Sequence, residues 1–158
     1  MIVVLYGPAG AGKTTVGQAL AERLHWCFIE GDAFHSPQSI ARMRAGQPLG
    51  DAERAPWLAA LAREIAVRIA DGRSAVLACP VLKPAYRRAL VPADAGPDDV
   101  RLACLRAPRA VLERRLRQRG GHFFSPALFD AQLADVEAAA GEDVLLLDRK
   151  STRLNSSH

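Results

Sequence analysis

The eight residues GPAGAGKT, Gly7 to Thr14, directly follow an apolar run, Ile2 to Tyr6. They satisfy the pattern G-x-x-x-x-G-K-[ST] through Gly7, Gly12, Lys13 and Thr14. A glycine-rich backbone can wrap an anion with its N–H groups turned inward, and a helix starting at the loop adds the positive end of its dipole. The pattern therefore requires a strand before it and a helix after it. Both are present. Ile2–Tyr6 lacks alternation, as expected for a strand buried on both faces, and Val16, Leu20 and Leu24 repeat at helical spacing from Lys13. Gly10, Ala11 and Thr15 complete the expected cradle. Lys13 can reach the β- and γ-phosphates of ATP, and the Thr14 hydroxyl can bind Mg2+.

The remaining chain alternates strands with helices. Strands are predicted at Cys27–Ile29, Ser74–Cys79, Val100–Leu105 and Asp143–Leu147. Ser36-Pro37 predicts a cap and first-turn proline for a helix to about Ala45. Asp51 is expected to cap a helix presenting Trp57, Leu58, Leu61, Ile65 and Ile69 to the core, which ends at Asp71-Gly72. Further helices are expected over Pro84–Leu90, from Pro108 to about Arg119, and from Ser125-Pro126 to about Ala139. This order predicts an α/β fold of the three-layer P-loop NTPase type, with a five-stranded parallel sheet covered by helices on both faces.

At 158 residues the chain fits one domain, expected over residues 1–148. The last ten residues, RKSTRLNSSH, are polar and aperiodic, and are expected to be disordered or foreign to the fold. Setting aside their three basic residues leaves 18 basic against 17 acidic, so the formal charge of +4 does not argue for nucleic-acid binding. No apolar run is long enough to span a bilayer, and no signal peptide is visible, so a cytoplasmic protein is expected. Cys27, Cys79 and Cys104 lack metal-ligand spacing and are expected to be reduced core thiols.

The second strand ends in Glu30-Gly31-Asp32, whose two acids share a side by alternation and leave the strand beside the phosphate loop. One carboxylate can hold a magnesium-bound water while the other accepts a proton from an attacking hydroxyl. Two solvated acids at a strand end are the alternative. Downstream, EGDAFHSPQSIARMRAGQPLGDAERAPWL resembles the segment characteristic of small bacterial-type gluconokinases, through Gly31, Asp32, His35, Pro37, Ile40, Met43, Gly46, Pro48, Leu49, Asp51, Arg54, Pro56, Trp57 and Leu58. CPVLKPAYR and RLRQRGGHFF resemble two further segments of that family, the second its arginine-bearing lid.

The resemblance implies ATP-dependent phosphorylation of D-gluconate on its terminal hydroxyl. It implies catalytic Lys13, Asp32 and Arg119, Arg115 on the nucleotide, and Thr14 and Glu30 at the metal. It places His35, Arg54, Lys83, Arg87, His122 and Gln132 with Asp32 around the sugar acid. Taken singly, His35 can also be a helix-flanking surface residue. Arg54 can simply pair with Asp51, and Lys83, Tyr86 and Arg87 can be the solvated face of a short helix. A homodimer is expected from the family alone. Departures from the pattern are Ser39, Arg42, Pro80-Val81 and Gly120, and a polar tail stands where the family continues with an adenine-side loop and a closing helix. Rival expectations are a shikimate kinase, a kinase of a related sugar acid, or a nucleotide-binding protein without catalysis.

Overall fold

The computed structural model describes residues 1–81, 83–118, 127, 129–131, 133, 134 and 145–148, the last four by their backbone. The elements run β1 (Ile2–Tyr6), α1 (Lys13–Leu24), β2 (Cys27–Glu30), a 3-10 turn (Gly31–Phe34), α2 (Pro37–Arg44), α3 (Asp51–Ala70), β3 (Ala75–Ala78), α4 (Pro84–Leu90), β4 (Val100–Arg106), α5 (Arg109–Gln118) and β5 (Leu145–Asp148). The sheet is parallel throughout, in the order β2-β3-β1-β4-β5. The chain leaves β1 with β3 on one side and β4 on the other. This split opens a crevice above the carboxyl end of β1, where α/β sheets take their ligands.

Alternation along β1 divides the interior in two. Ile2, Val4 and Tyr6 face a core completed by Ile29, Leu77, Trp57, Leu61 and Ile65, with Leu90 from α4. Leu5 faces the other, with Ala103, Leu105, Leu112 and Phe129. Helices thus cover both faces of a sheet whose central strands are apolar on each side.

Three local expectations change. The buried face of α1 is Gly17 and Ala21, while Leu24 is exposed. Small residues let α1 lie close on the sheet: a Cβ on Gly17 would come within 2.7 Å of the Phe28 ring. Cys27 is exposed rather than a core thiol, although Cys79 and Cys104 are buried. Asp51 does not cap α3. The cap residue is Gly50, whose N–H donates to Glu53 Oε2 at 2.6 Å, and Asp51 stands in the first turn with its side chain free for other partners. The Ser36 cap is present, its hydroxyl accepting from Ser39 N at 3.1 Å. The helix expected from Ser125 to Ala139 falls largely outside the described residues, as does the tail from 149 to 158.

Gly31 joins β2 to the turn under tight packing, where an added Cβ would sit 2.7 Å from the Ala78 carbonyl oxygen and 3.1 Å from Cys79 Cβ. The first obstacle is backbone, so β2 must shift off β3 to accept a side chain. Gly31→Ala is expected to lower stability by about 1–3 kcal/mol in urea denaturation, the usual cost of overpacking.

Candidate active site

The phosphate loop is held open by its glycines. A Cβ on Gly7 would come within 2.3 Å of the Leu105 carbonyl oxygen, so only glycine lets β1 turn out against the end of β4. Gly12, at φ 90°, sets the left-handed turn into α1 and provides no side-chain cap. The first-turn amides of α1, those of Lys13, Thr14 and Thr15, therefore lack the side-chain partner that a Ser or Asp cap would supply. They form an anion site at the positive end of the dipole. Lys13 folds back over the loop, its Nζ donating to Gly7 O at 2.9 Å and Pro8 O at 3.1 Å. From the opposite side, Arg115 Nη1 of α5 donates to Gly10 O at 3.0 Å, which braces the loop from outside.

The Thr14 hydroxyl donates to Glu30 Oε2 at 2.7 Å, so the side chains assigned to magnesium lie side by side. A hydroxyl and a carboxylate at the phosphate edge are hard oxygen donors. They suit Mg2+, which keeps most of its waters and takes few protein ligands. No group of three or more His, Cys, Asp and Glu side chains gathers among the described residues.

Asp32, in the 3-10 turn, lies within the field of Lys13. Its side chain reaches solvent, yet the enclosing protein removes enough hydration to raise its carboxyl above the usual aspartate range, and the Lys13 charge opposes that rise. The two groups therefore lie within electrostatic reach of one another. Cys79 lies within the same field: burial, and next the Asp32 charge, push its thiol well up, so it stays protonated and inert.

Acceptor-side residues gather between α3 and α4. His35 is buried and stacks on Trp57 with ring centroids 4.3 Å apart. Burial and then the Arg54 charge lower its pKa, leaving a neutral imidazole whose Nδ1 has no partner among the described residues. Trp57 in turn donates its indole N–H to Gly31 O at 2.8 Å, one residue from Asp32. Arg54 and Lys83 approach the Tyr86 ring at 5.5 Å and 5.4 Å from its centroid. The Tyr86 hydroxyl donates to Asp51 Oδ1, which also accepts from Lys83 Nζ at 3.5 Å. Asp51 thus pairs with Lys83 and Tyr86, not with Arg54 as the simpler reading of the sequence had it.

Arg87 departs from its neighbours. It is 1% exposed, lies over the Tyr6 ring at 4.7 Å and donates to Val81 O at 3.0 Å, so it supports the end of β1 from beneath. Arg119, His122 and Gln132 lie outside the described residues. Sequence reasoning treated Trp57 as core and Asp51 as a cap, and missed that both organise the site. For Trp57 a signal existed, since a buried indole N–H must find an acceptor.

A protein-family model described as an AAA domain matches residues 2–140. The gluconokinase of Gluconobacter oxydans is 39% identical over 145 residues, 91% of this chain and 79% of that protein. A crystal structure of a gluconokinase from Sinorhizobium meliloti superposes with a TM-score of 0.77 at 36% identity, covering 96% of this chain and 82% of that one. The shikimate kinase of Acinetobacter baumannii, at 15% identity and a TM-score of 0.58 over 96% of this chain and 84% of its own, shares the fold. Parallel sheet, phosphate loop and facing acid define a P-loop kinase of the α/β class. Its substrate-side segments narrow this further. The chain belongs to the gluconokinase family.

Trp57→Phe keeps a ring for His35 but leaves the buried Gly31 carbonyl without its donor. The expected loss is about 1–3 kcal/mol of folding stability in urea, with a raised KM for the phosphoryl acceptor at unchanged KM for ATP.

Proposed function

We propose that this chain is an ATP:D-gluconate 6-phosphotransferase. The observation that carries the reading is the meeting of Asp32 and Lys13, a base and a phosphate-binding cation within each other's field. The curated relatives supply the acceptor, since proteins named gluconokinase match over most of this chain.

In this reading the loop from Gly7 to Thr15 holds the triphosphate. Thr14 and Glu30 would hold Mg2+, which when bound would neutralise phosphate charge. Asp32 accepts a hydrogen bond from the terminal hydroxyl of gluconate and aims it along the line of attack. Lys13 exchanges its two loop carbonyls for phosphate oxygens and follows the charge of the transferring group. Arg115, whose Nη1 donates to Gly10 O of the loop, adds a second cation beside the triphosphate. His35, Arg54 and Lys83, joined by Gln132, recognise the sugar acid, and Arg87 acts from below by supporting Tyr6. The Pro80-Val81 departure falls partly in the core: Val81 is fully buried and its carbonyl accepts from Arg87.

Coupled measurement of ADP release is expected to show turnover that depends on D-gluconate and not on shikimate. Turnover with shikimate alone, or tight ATP binding with no acceptor-dependent turnover, would defeat the proposal. Lys13→Ala is expected to lower kcat at least ~100-fold, because it removes a charge that follows the transferring phosphoryl group.

Asp32 aims the hydroxyl only when ionised. Its carboxyl is raised by burial, so kcat/KM is expected to fall as pH drops through a value above that of an exposed aspartate and to level off above it. Asp32→Asn should abolish this acid limb and cut kcat while leaving ATP binding intact; equal loss of both would remove Asp32 from the chemistry.

A further inference from the structure

Hydrogen bonding divides the two acceptor-side cations. Lys83 already has an anionic partner in Asp51, which the Tyr86 hydroxyl also holds. Arg54, one helical turn beyond Asp51, has no hydrogen-bond or ion-pair partner for its guanidinium among the described residues. It lies 5.5 Å from the centroid of the Tyr86 ring, and its charge reaches His35 on its other side. His35 stacks on Trp57, and Trp57 holds Gly31 beside Asp32. Contacts therefore run from the Gly31–Asp32 turn through Trp57 to His35, and the field of Arg54 reaches that imidazole.

Resting on the gluconokinase reading, we infer that Arg54 is the group that takes the carboxylate of the acceptor, and that Asp51, Tyr86 and Lys83 are positioning residues that hold it in place. A planar guanidinium with parallel N–H donors matches a carboxylate in a way that an ammonium does not. Tyr86 offers it a flat face. Lys83 and Arg54 approach the same ring with like charge, and Asp51 between them offsets the repulsion that would swing Arg54 away. The acceptor then spans this stretch, its terminal hydroxyl at Asp32 and its acid group at Arg54. Lys83 serves Arg54 through Asp51 and Tyr86.

The test is steady-state kinetics with D-gluconate and ATP varied separately. Arg54→Gln is expected to raise the gluconate KM ~100-fold, and Asp51→Asn and Tyr86→Phe ~10-fold each, all with the ATP KM unchanged. Arg54→Lys, which keeps the charge but not the fork, is expected at ~10-fold and serves if the glutamine variant fails to fold. Because Asp51 acts through Arg54, Asp51→Asn combined with Arg54→Gln should be no worse than Arg54→Gln alone. A larger effect from Lys83→Met than from Arg54→Gln, full additivity in the double variant, or equal rises in both KM values would overturn the assignment while leaving the gluconokinase reading intact. Wild-type protein without gluconate-dependent ADP release would overturn both.

Discussion

The indole N–H of Trp57 meets the Gly31 carbonyl at 2.8 Å in a buried setting, and much of the site hangs from that contact. It ties the second turn of α3 to the end of β2, so the 3-10 turn carrying Asp32 cannot drift from the phosphate loop. The same indole gives His35 a face to stack on. Gly31 is confined from beneath by the Ala78 carbonyl and Cys79, which leaves the turn no alternative seat. A buried carbonyl that loses its donor costs more than the bond itself contributes, and this asymmetry makes the contact decisive.

Charge is arranged so that the two carboxylates take opposite characters. Burial raises Asp32 against the pull of Lys13, whereas Asp51 is lowered by the Tyr86 hydroxyl and then by Lys83. Environments that push two acids apart separate their tasks. The raised one is the better proton acceptor of the two and can orient a hydroxyl. The lowered one stays ionised and keeps its cation fixed. Cys79, buried within the field of Asp32, Lys13 and Glu30, stays protonated and adds no further charge.

How much of this was legible in the sequence depends on how local the determinants are. The loop, the strand before it and the helix after it follow from short-range rules, and Ile2–Tyr6 and Lys13–Leu24 stand where the pattern put them. On α1 the spacing of Val16, Leu20 and Leu24 was legible, and Val16 packs against a core, but close packing buries the small residues Gly17 and Ala21 most deeply and leaves Leu24 exposed. Asp51 looked like a cap because Asp before a helix usually is one. Glu53 took that role by reaching back to Gly50. Arg87 lay in a motif of charged residues on a short helix, and only the tertiary fold turns it inward onto Tyr6. The pairing of Asp51 with Tyr86 joins residues 35 positions apart, which no local pattern encodes.

The position of Arg54 carries its own physical argument. It occupies the first turn of α3, where the helix dipole disfavours a cation and where Asp51 and Glu53 are the residues the dipole favours. Glu53 is engaged by Gly50 and by Arg42, so it does not compensate Arg54. Asp51 is committed to Tyr86 and Lys83. A guanidinium at a positive helix end beside a second cation is only partly compensated by Asp51, which lies in the field of both. An anion bound by the Arg54 guanidinium removes the remaining cost. The same arrangement that weakens the empty site therefore favours an acidic acceptor over a neutral one, since a neutral polyol would leave the repulsion in place.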